Sequence, residues 1–182
     1  MTTGEFIMKA QKVICPTDFS HFTDAALSYA SSLAAESGAK LFIVHVNDLL
    51  STSVAMGEPA FVDAALWLDA SRQEAHRQLD EVKPTLSSID FERCYLEGDP
   101  VREILGFAER EHADLIVVGS HGRTGLVRLV MGSVAEGIAR LASCPVLIVK
   151  QPVSDAGGLQ SGTVVTTPST QSSTTSSASS AG

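Results

Sequence analysis

The segment of this chain with the most chemical potential is 119–137, GSHGRTGLVRLVMGSVAEG, which holds Gly119, Gly122, Gly125, Gly132 and Gly137. It follows the hydrophobic run DLIVV at 114–118, so its first glycines stand where a strand must turn. Glycine at such a point permits left-handed backbone and lets a ligand approach main-chain amides closely. Gly132-Ser133 then opens a helical pattern, and the first amides of a helix lack intrahelical acceptors and favour an anion. These features together describe a phosphate cradle, with Arg123 and Arg128 supplying local positive charge. A plainer account of the same residues stays open. Gly-rich turns also arise from packing, and Ser133-Val134-Ala135-Glu136 has the S-x-x-E form of a capping box. No Walker loop is present, because no Gly-Lys-Ser/Thr follows the glycines. The dinucleotide Gly-x-Gly-x-x-Gly and the Gly-x-Ser-x-Gly nucleophile elbow are also missing.

A second group of candidates follows the run KVIC at 12–15: Pro16, Thr17, Asp18, Phe19 and Ser20. The Asp18 carboxylate is suited to accept hydrogen bonds from sugar hydroxyls. The alternative is a turn or helix-entry cap ahead of Thr23. His121 sits within the Gly-rich loop as a spacer or hydrogen-bonding group, since no second residue is evidently placed to orient it as a base. The five histidines are scattered and no Cys-x-x-Cys pair occurs, so no protein-held metal is expected.

These groups meet only if the elements before them are parallel strands ending on one edge. Short β-branched runs occur at 12–15, 40–46, 91–96, 114–118 and 145–149, separated by helical patterns. The first helix carries Ala26, Ala30, Leu33 and Ala34 at helical spacing, with Gly38 as its stop. The second spans about 62–86. The third starts at Asp99-Pro100 and places Val101, Ile104, Leu105 and Ala108 on one face; the last spans about 133–142. Such alternation predicts an α/β fold, an open, doubly wound parallel sheet of five strands flanked by helices. The nearly unbroken hydrophobes at 114–118 and 145–149 fit strands covered on both faces. Ligands of such sheets bind at the carboxyl ends of the strands, where strand order reverses. Residues 48–61 fit no element and are expected to form a surface loop.

Composition narrows the function classes. The 182 residues carry 13 Lys+Arg against 21 Asp+Glu, a formal charge of −8. An acidic chain of this kind is a poor binder of nucleic acid or of anionic membrane surfaces. No apolar run approaches the ~20 residues of a membrane span. The first twenty residues carry an early Glu5 and only short apolar pieces, unlike a secretory signal. Cys15, Cys94 and Cys144 are odd in number and widely spaced, as free thiols of a reducing cytoplasm would be. Residues 151–182 hold nine Ser and six Thr with a single charge, Asp155. Too little apolar area is available there to offset chain entropy, so a disordered tail is expected after a domain spanning 1–150. It would be either a passive solvated tail or a hydroxyl-rich stretch open to modification or tethering.

Gly119-x-x-Gly122, nine residues, then Gly132-Ser133 resembles the G-2x-G-9x-G(S/T) signature of ATP-binding universal stress proteins. VICPTDFS, HVND, EGDPVREIL and SCPVLIVK follow that family's order, and the resemblance covers nearly all of 10–150. It implies strand order 3-2-1-4-5, an adenine nucleotide alpha-hydrolase-like sheet, and ATP with Mg²⁺ as its cofactors. It also implies that Pro16, Thr17 and Asp18 flank the adenosine, that Val46 meets adenine through its backbone, and that Val118 and Gly119 approach the ribose. Gly122, Arg123, Gly132, Ser133 and Val134 would surround the phosphates. Position 135 is Ala, where some ATP-binding relatives carry a hydroxyl, and the tail is foreign to the family pattern.

The resemblance further implies a homodimer through the final strand, residues 146–149, an apolar edge that must be paired or protected. Cover by the chain's own Val164-Val165 is the alternative. The expected function is a cytoplasmic nucleotide-binding stress-response sensor or switch. The alternatives are a slow ATPase or self-phosphorylating protein using Ser133, and an interaction module that needs no nucleotide.

Overall fold

Five short hydrophobic runs form parallel strands: β1 (Lys12–Pro16), β2 (Lys40–Asn47), β3 (Phe91–Glu97), β4 (Leu115–Gly119) and β5 (Val146–Val149). In the computed structural model the described residues are 10–48, 64–120, 131–150 and a strand at Val164–Thr167. The parallel strands lie in the order β3-β2-β1-β4-β5, the order that the family resemblance implies.

The strand at Val164–Thr167, β6, pairs antiparallel with β5 in the register Val149↔Val164 to Val146↔Thr167. The tail expected to be disordered therefore contributes a sixth strand. The physical reason is local. Four consecutive β-branched residues, VVTT, suit an extended ladder, and an average over a Ser/Thr-rich stretch conceals them.

Alternation along the strands builds two cores. Val13, Cys15, Leu41, Ile43, Val117, Leu147 and Val149 point to one face. There they meet Ala26, Ala30 and Ala34 of helix α1 (Asp24–Ser37) and Leu79 of helix α2 (Ala64–Glu81). Ile14, Phe42, Val44, Ile116, Val118, Val146 and Ile148 point to the other. Their partners are Ile104, Phe107 and Ala108 of α3 (Pro100–Glu111) and Ala135 and Ile138 of α4 (Ser133–Leu141).

The helix limits have identifiable causes. Gly38 closes α1 at φ 70, donating its N–H to the Ala34 carbonyl. Asp99 caps α3 by accepting from the Arg102 N–H at 2.8 Å, with Pro100 in the first turn. Helix α2 stops at Glu81, short of the expected 86, because Pro84 offers no N–H to continue it. Gly137 lets α4 approach α3 closely, since a Cβ there would lie 2.8 Å from Val101 Cγ2. The stretch 48–61, expected as a surface loop, lies outside the described residues except for Asp48.

Candidate functional site

Strand order reverses between β1 and β4, and these strands pair only at Val13↔Leu115 and Ile14↔Ile116. They part before their carboxyl ends, which leaves a crevice at the switch point. Peptide direction shows which groups face it. The Thr17 N–H donates to the Val44 carbonyl at 2.8 Å, so Val44 faces β1. Two residues on, Val46 turns its own N–H and C=O the same way, past Pro16 where β1 has ended. Across the gap, the N–H groups of Ile116 and Ser120 donate to Pro145 and Val149 carbonyls on the β5 side. By alternation Gly119 turns its peptide groups toward β1. Val118 faces β5 with its peptide and is 6% exposed, so its side chain serves as packing beneath the crevice.

The loop after β1 is held by side chains. Pro16 is buried at the strand end. Thr17 Oγ1 accepts from the Phe19 N–H at 3.1 Å and shares a hydrogen bond with Thr23 Oγ1 at 3.2 Å. Asp18 Oδ1 accepts from the Ser20 N–H at 3.0 Å and from Ser20 Oγ at 2.6 Å. This is an Asx turn, so of its two non-ligand roles Asp18 takes the turn and leaves the start of α1 to Thr23. A carboxylate has further lone pairs for a hydroxyl donor.

Phe19 adopts φ 64, a left-handed conformation that costs energy in a residue with a Cβ. Its ring is stacked on His45 at 4.0 Å between centroids. His45, 6% exposed, places Nδ1 2.9 Å from the Thr17 carbonyl. A carbonyl only accepts, so Nδ1 carries the proton.

The network continues outward. Asn47 Nδ2 donates to Tyr95 Oη at 3.0 Å and to Ser71 Oγ at 3.3 Å. Tyr95 Oη donates to Glu97 Oε1, which Arg72 Nε also reaches at 2.7 Å. The Arg72 hydrogen bond holds Glu97 below the usual carboxylate range, and burial pushes the Tyr95 phenol up. These bonds fasten α2 to the ends of β2 and β3.

The opposite wall is made of backbone. The N-cap of α4 is Gly132, at φ −61 and ψ 145, and no side chain caps the helix. The S-x-x-E pattern does not form a capping box, because the extended Gly132 is the cap and the helix starts one residue too early for Ser133 to take that role. Ser133 is the first helical residue and is exposed, Val134 is half-buried, and the Glu136 N–H donates to the Gly132 carbonyl at 2.9 Å. The amides of Ser133, Val134 and Ala135 thus open toward the carboxyl edge as helix-start donors. The Gly132 N–H donates to the Ser120 carbonyl at 2.9 Å, which fixes the start of α4 beside the end of β4. Gly122 and Arg123 lie outside the described residues.

Pro16, Thr17, Asp18, Val46, Val118, Gly119, Gly132, Ser133 and Val134 therefore share the carboxyl edge of the sheet. Sequence reasoning missed His45 and Ser120, the latter 4% exposed at the junction of β4 and α4. His45 had a signal: it is a polar residue at an inward position of the run LFIVHV. Among the described residues no group of three or more His, Cys, Asp or Glu could hold a metal ion, and no helix is long and apolar enough to cross a membrane.

A family model described as the universal stress protein family matches residues 9–150. Universal stress protein MJ0531 of Methanocaldococcus jannaschii is 38% identical over 151 residues, covering 82% of this chain and 86% of that one. Universal stress protein YxiE of Bacillus subtilis is 33% identical over 146 residues, covering 76% and 98%. Among solved structures, the hypothetical protein MJ0577 superposes with a TM-score of 0.67 at 28% identity, covering 79% of this chain and 98% of that one. A universal stress protein solved in complex with cAMP superposes with a TM-score of 0.51 at 27% identity, covering 78% and 97%.

Proposed function

The chain belongs to the universal stress protein family, and we propose that it binds ATP, carried as Mg-ATP, and acts as a stress-response sensor or switch. The observation that carries the reading is the convergence at one switch point of two kinds of wall. On one side stand the Val46 peptide and the braced Thr17-Asp18 turn; on the other, the Gly119 peptide and the uncapped start of α4. The similar protein solved with cAMP supports an adenine nucleotide as the ligand class.

In this reading Val46 meets adenine through its N–H and C=O, with Pro16 and Thr17 beside the adenosine. Asp18 accepts from a ribose hydroxyl, and Val118 and Gly119 form the floor under the sugar. Gly132, Ser133 and Val134 receive the phosphates at the helix start, where amides and dipole favour negative charge. Gly122 and Arg123 complete that end. The residues present fit a nucleotide whose Mg²⁺ is held mainly by its own phosphates and water, as Mg²⁺ commonly is.

A nucleotide of this kind switches the protein only by binding one conformation or assembly more tightly than another. The proposed assembly is a homodimer through β5, in the cytoplasm, a compartment in keeping with three cysteines that form no disulfide. The proposed functional unit is the 1–150 domain, with 151–182 as an appendage.

Calorimetric titration of nucleotide-stripped protein with Mg-ATP, against AMP as control, tests the binding. Saturation near one ATP per chain is the expected result. Absence of heat at several temperatures, from protein shown to be folded, would remove the nucleotide and leave an interaction module.

A further inference from the structure

The edge of β5 is already occupied. Strand β6 lies antiparallel along all four of its residues, Val146 to Val149, and every one of these is buried. Fourteen residues, 150–163, connect Val149 to Val164. Tight hairpins use two to five residues, so no close turn dictates this pairing, and a four-residue ladder is what holds it. Elements held by so few bonds open far more readily than a core strand does.

The edge beneath is a template for other strands. It is apolar and β-branched, and its outward N–H and C=O groups accept an antiparallel neighbour in register. A second copy of β5 meets that description without any new sequence. Two antiparallel copies of one strand, related by a two-fold axis, present the same groups to each other.

We infer that β6 is a displaceable cap on the β5 edge, and that the surface it covers is an interface for a second copy of this chain. This rests on the homodimer proposed above and adds its control: the tail strand and the second copy compete for one row of hydrogen bonds. The tether gives β6 an effective concentration on the order of millimolar, so it prevails when the chain is dilute. If the cap is closed in about nine chains of ten, the dimer dissociation constant is weakened roughly tenfold per chain, or about a hundredfold for the pair.

The test uses the full chain with Val165→Pro and Thr166→Pro together. Adjacent strand residues point their N–H groups in opposite directions, so one of the two prolines must remove a ladder bond. Sedimentation velocity across the micromolar range compares the variant with wild type, and hydrogen exchange follows the amides of 146–149.

The expected result is a dimer about a hundredfold tighter in the variant. Equal dimerisation of both forms overturns the cap and leaves the homodimer standing. Two monomers, with faster exchange at 146–149 in the variant alone, overturn the homodimer reading and this inference with it. Two monomers with unchanged exchange show that β6 never held the edge, and overturn the cap directly.

Discussion

The two walls of the crevice are built by different means. On the β1–β2 side the backbone is braced by side chains: His45 to the Thr17 carbonyl, Thr17 to Thr23, Asp18 to Ser20, and the Phe19 ring on His45. On the β4–α4 side no side chain caps the helix, and the main-chain bond from Gly132 to Ser120 sets the approach. A wall braced by side chains has a fixed shape and suits a rigid group such as a base or sugar. A wall of open amides makes few demands on shape and responds to charge, as suits a flexible anion.

The sharpest way to break that contrast is Gly132→Val. Gly132 has an ordinary extended backbone, so valine there should leave the protein folded, at the ~1 kcal/mol cost of a poorer helix cap. Its side chain would stand at the helix mouth, and calorimetry should read at least a tenfold loss of Mg-ATP affinity, ~1.4 kcal/mol. Unchanged affinity would show that the amide wall is not the phosphate site.

His45→Ala attacks the other wall and should act in the opposite proportion. It leaves the Thr17 carbonyl without its donor and Phe19 without its stacking partner. Urea unfolding should show a loss of ~2 kcal/mol. Affinity for AMP should fall along with that for ATP, because the adenosine half is what loosens. A variant as stable as wild type would mean that the Thr17-Asp18 turn holds itself.

Acid should weaken the brace from its outer end. Glu97 titrates below its ordinary range in the folded chain because of Arg72. Its contribution is therefore present above the ordinary carboxylate value and is lost as pH falls through the lowered one. The pair is solvent-screened, so the loss is at most ~1 kcal/mol. Hydrogen exchange in α2 should rise relative to α4 between about pH 6 and about pH 3; equal change in both helices would dissociate Glu97 from the brace.

The smallest expected change is the stability of Ser133→Ala, within ~0.5 kcal/mol of wild type, because Gly132 and not Ser133 is the cap. Any loss of ATP affinity in that variant then reports a ligand contact alone. A stability loss of ~1 kcal/mol, typical of a broken cap, would contradict the assigned helix start.

The five parallel strands were legible because strands buried on both faces must be nearly all hydrophobic, and runs such as LFIVHV and LIVV admit little else. Asp99-Pro100 and Gly38 marked helix limits by chemistry that is local to them. What escaped was decided at a distance. VVTT at 164–167 becomes a strand only because β5 presents an edge, and the residues around it argue for a solvated tail. The cap of α4 moved by one residue because Gly132 is tied to Ser120 across the intervening loop, a bond with no trace in the S-x-x-E pattern. His45 was visible as an inward polar residue, but its partner is a main-chain carbonyl nearly thirty residues earlier. Phe19 gave no sign of left-handed backbone, which is rare outside glycine, asparagine and aspartate.

The bond between Gly132 and Ser120 has a consequence for how this protein can vary. It brings the two ends of the 121–131 segment within hydrogen-bonding distance, whatever lies between them. The entropic cost of closing a loop grows only with the logarithm of its length, about 0.6 kcal/mol for each doubling. The β4–α4 junction is therefore a position where residues can be inserted or removed in descent or by engineering, with the sheet and both cores left in register.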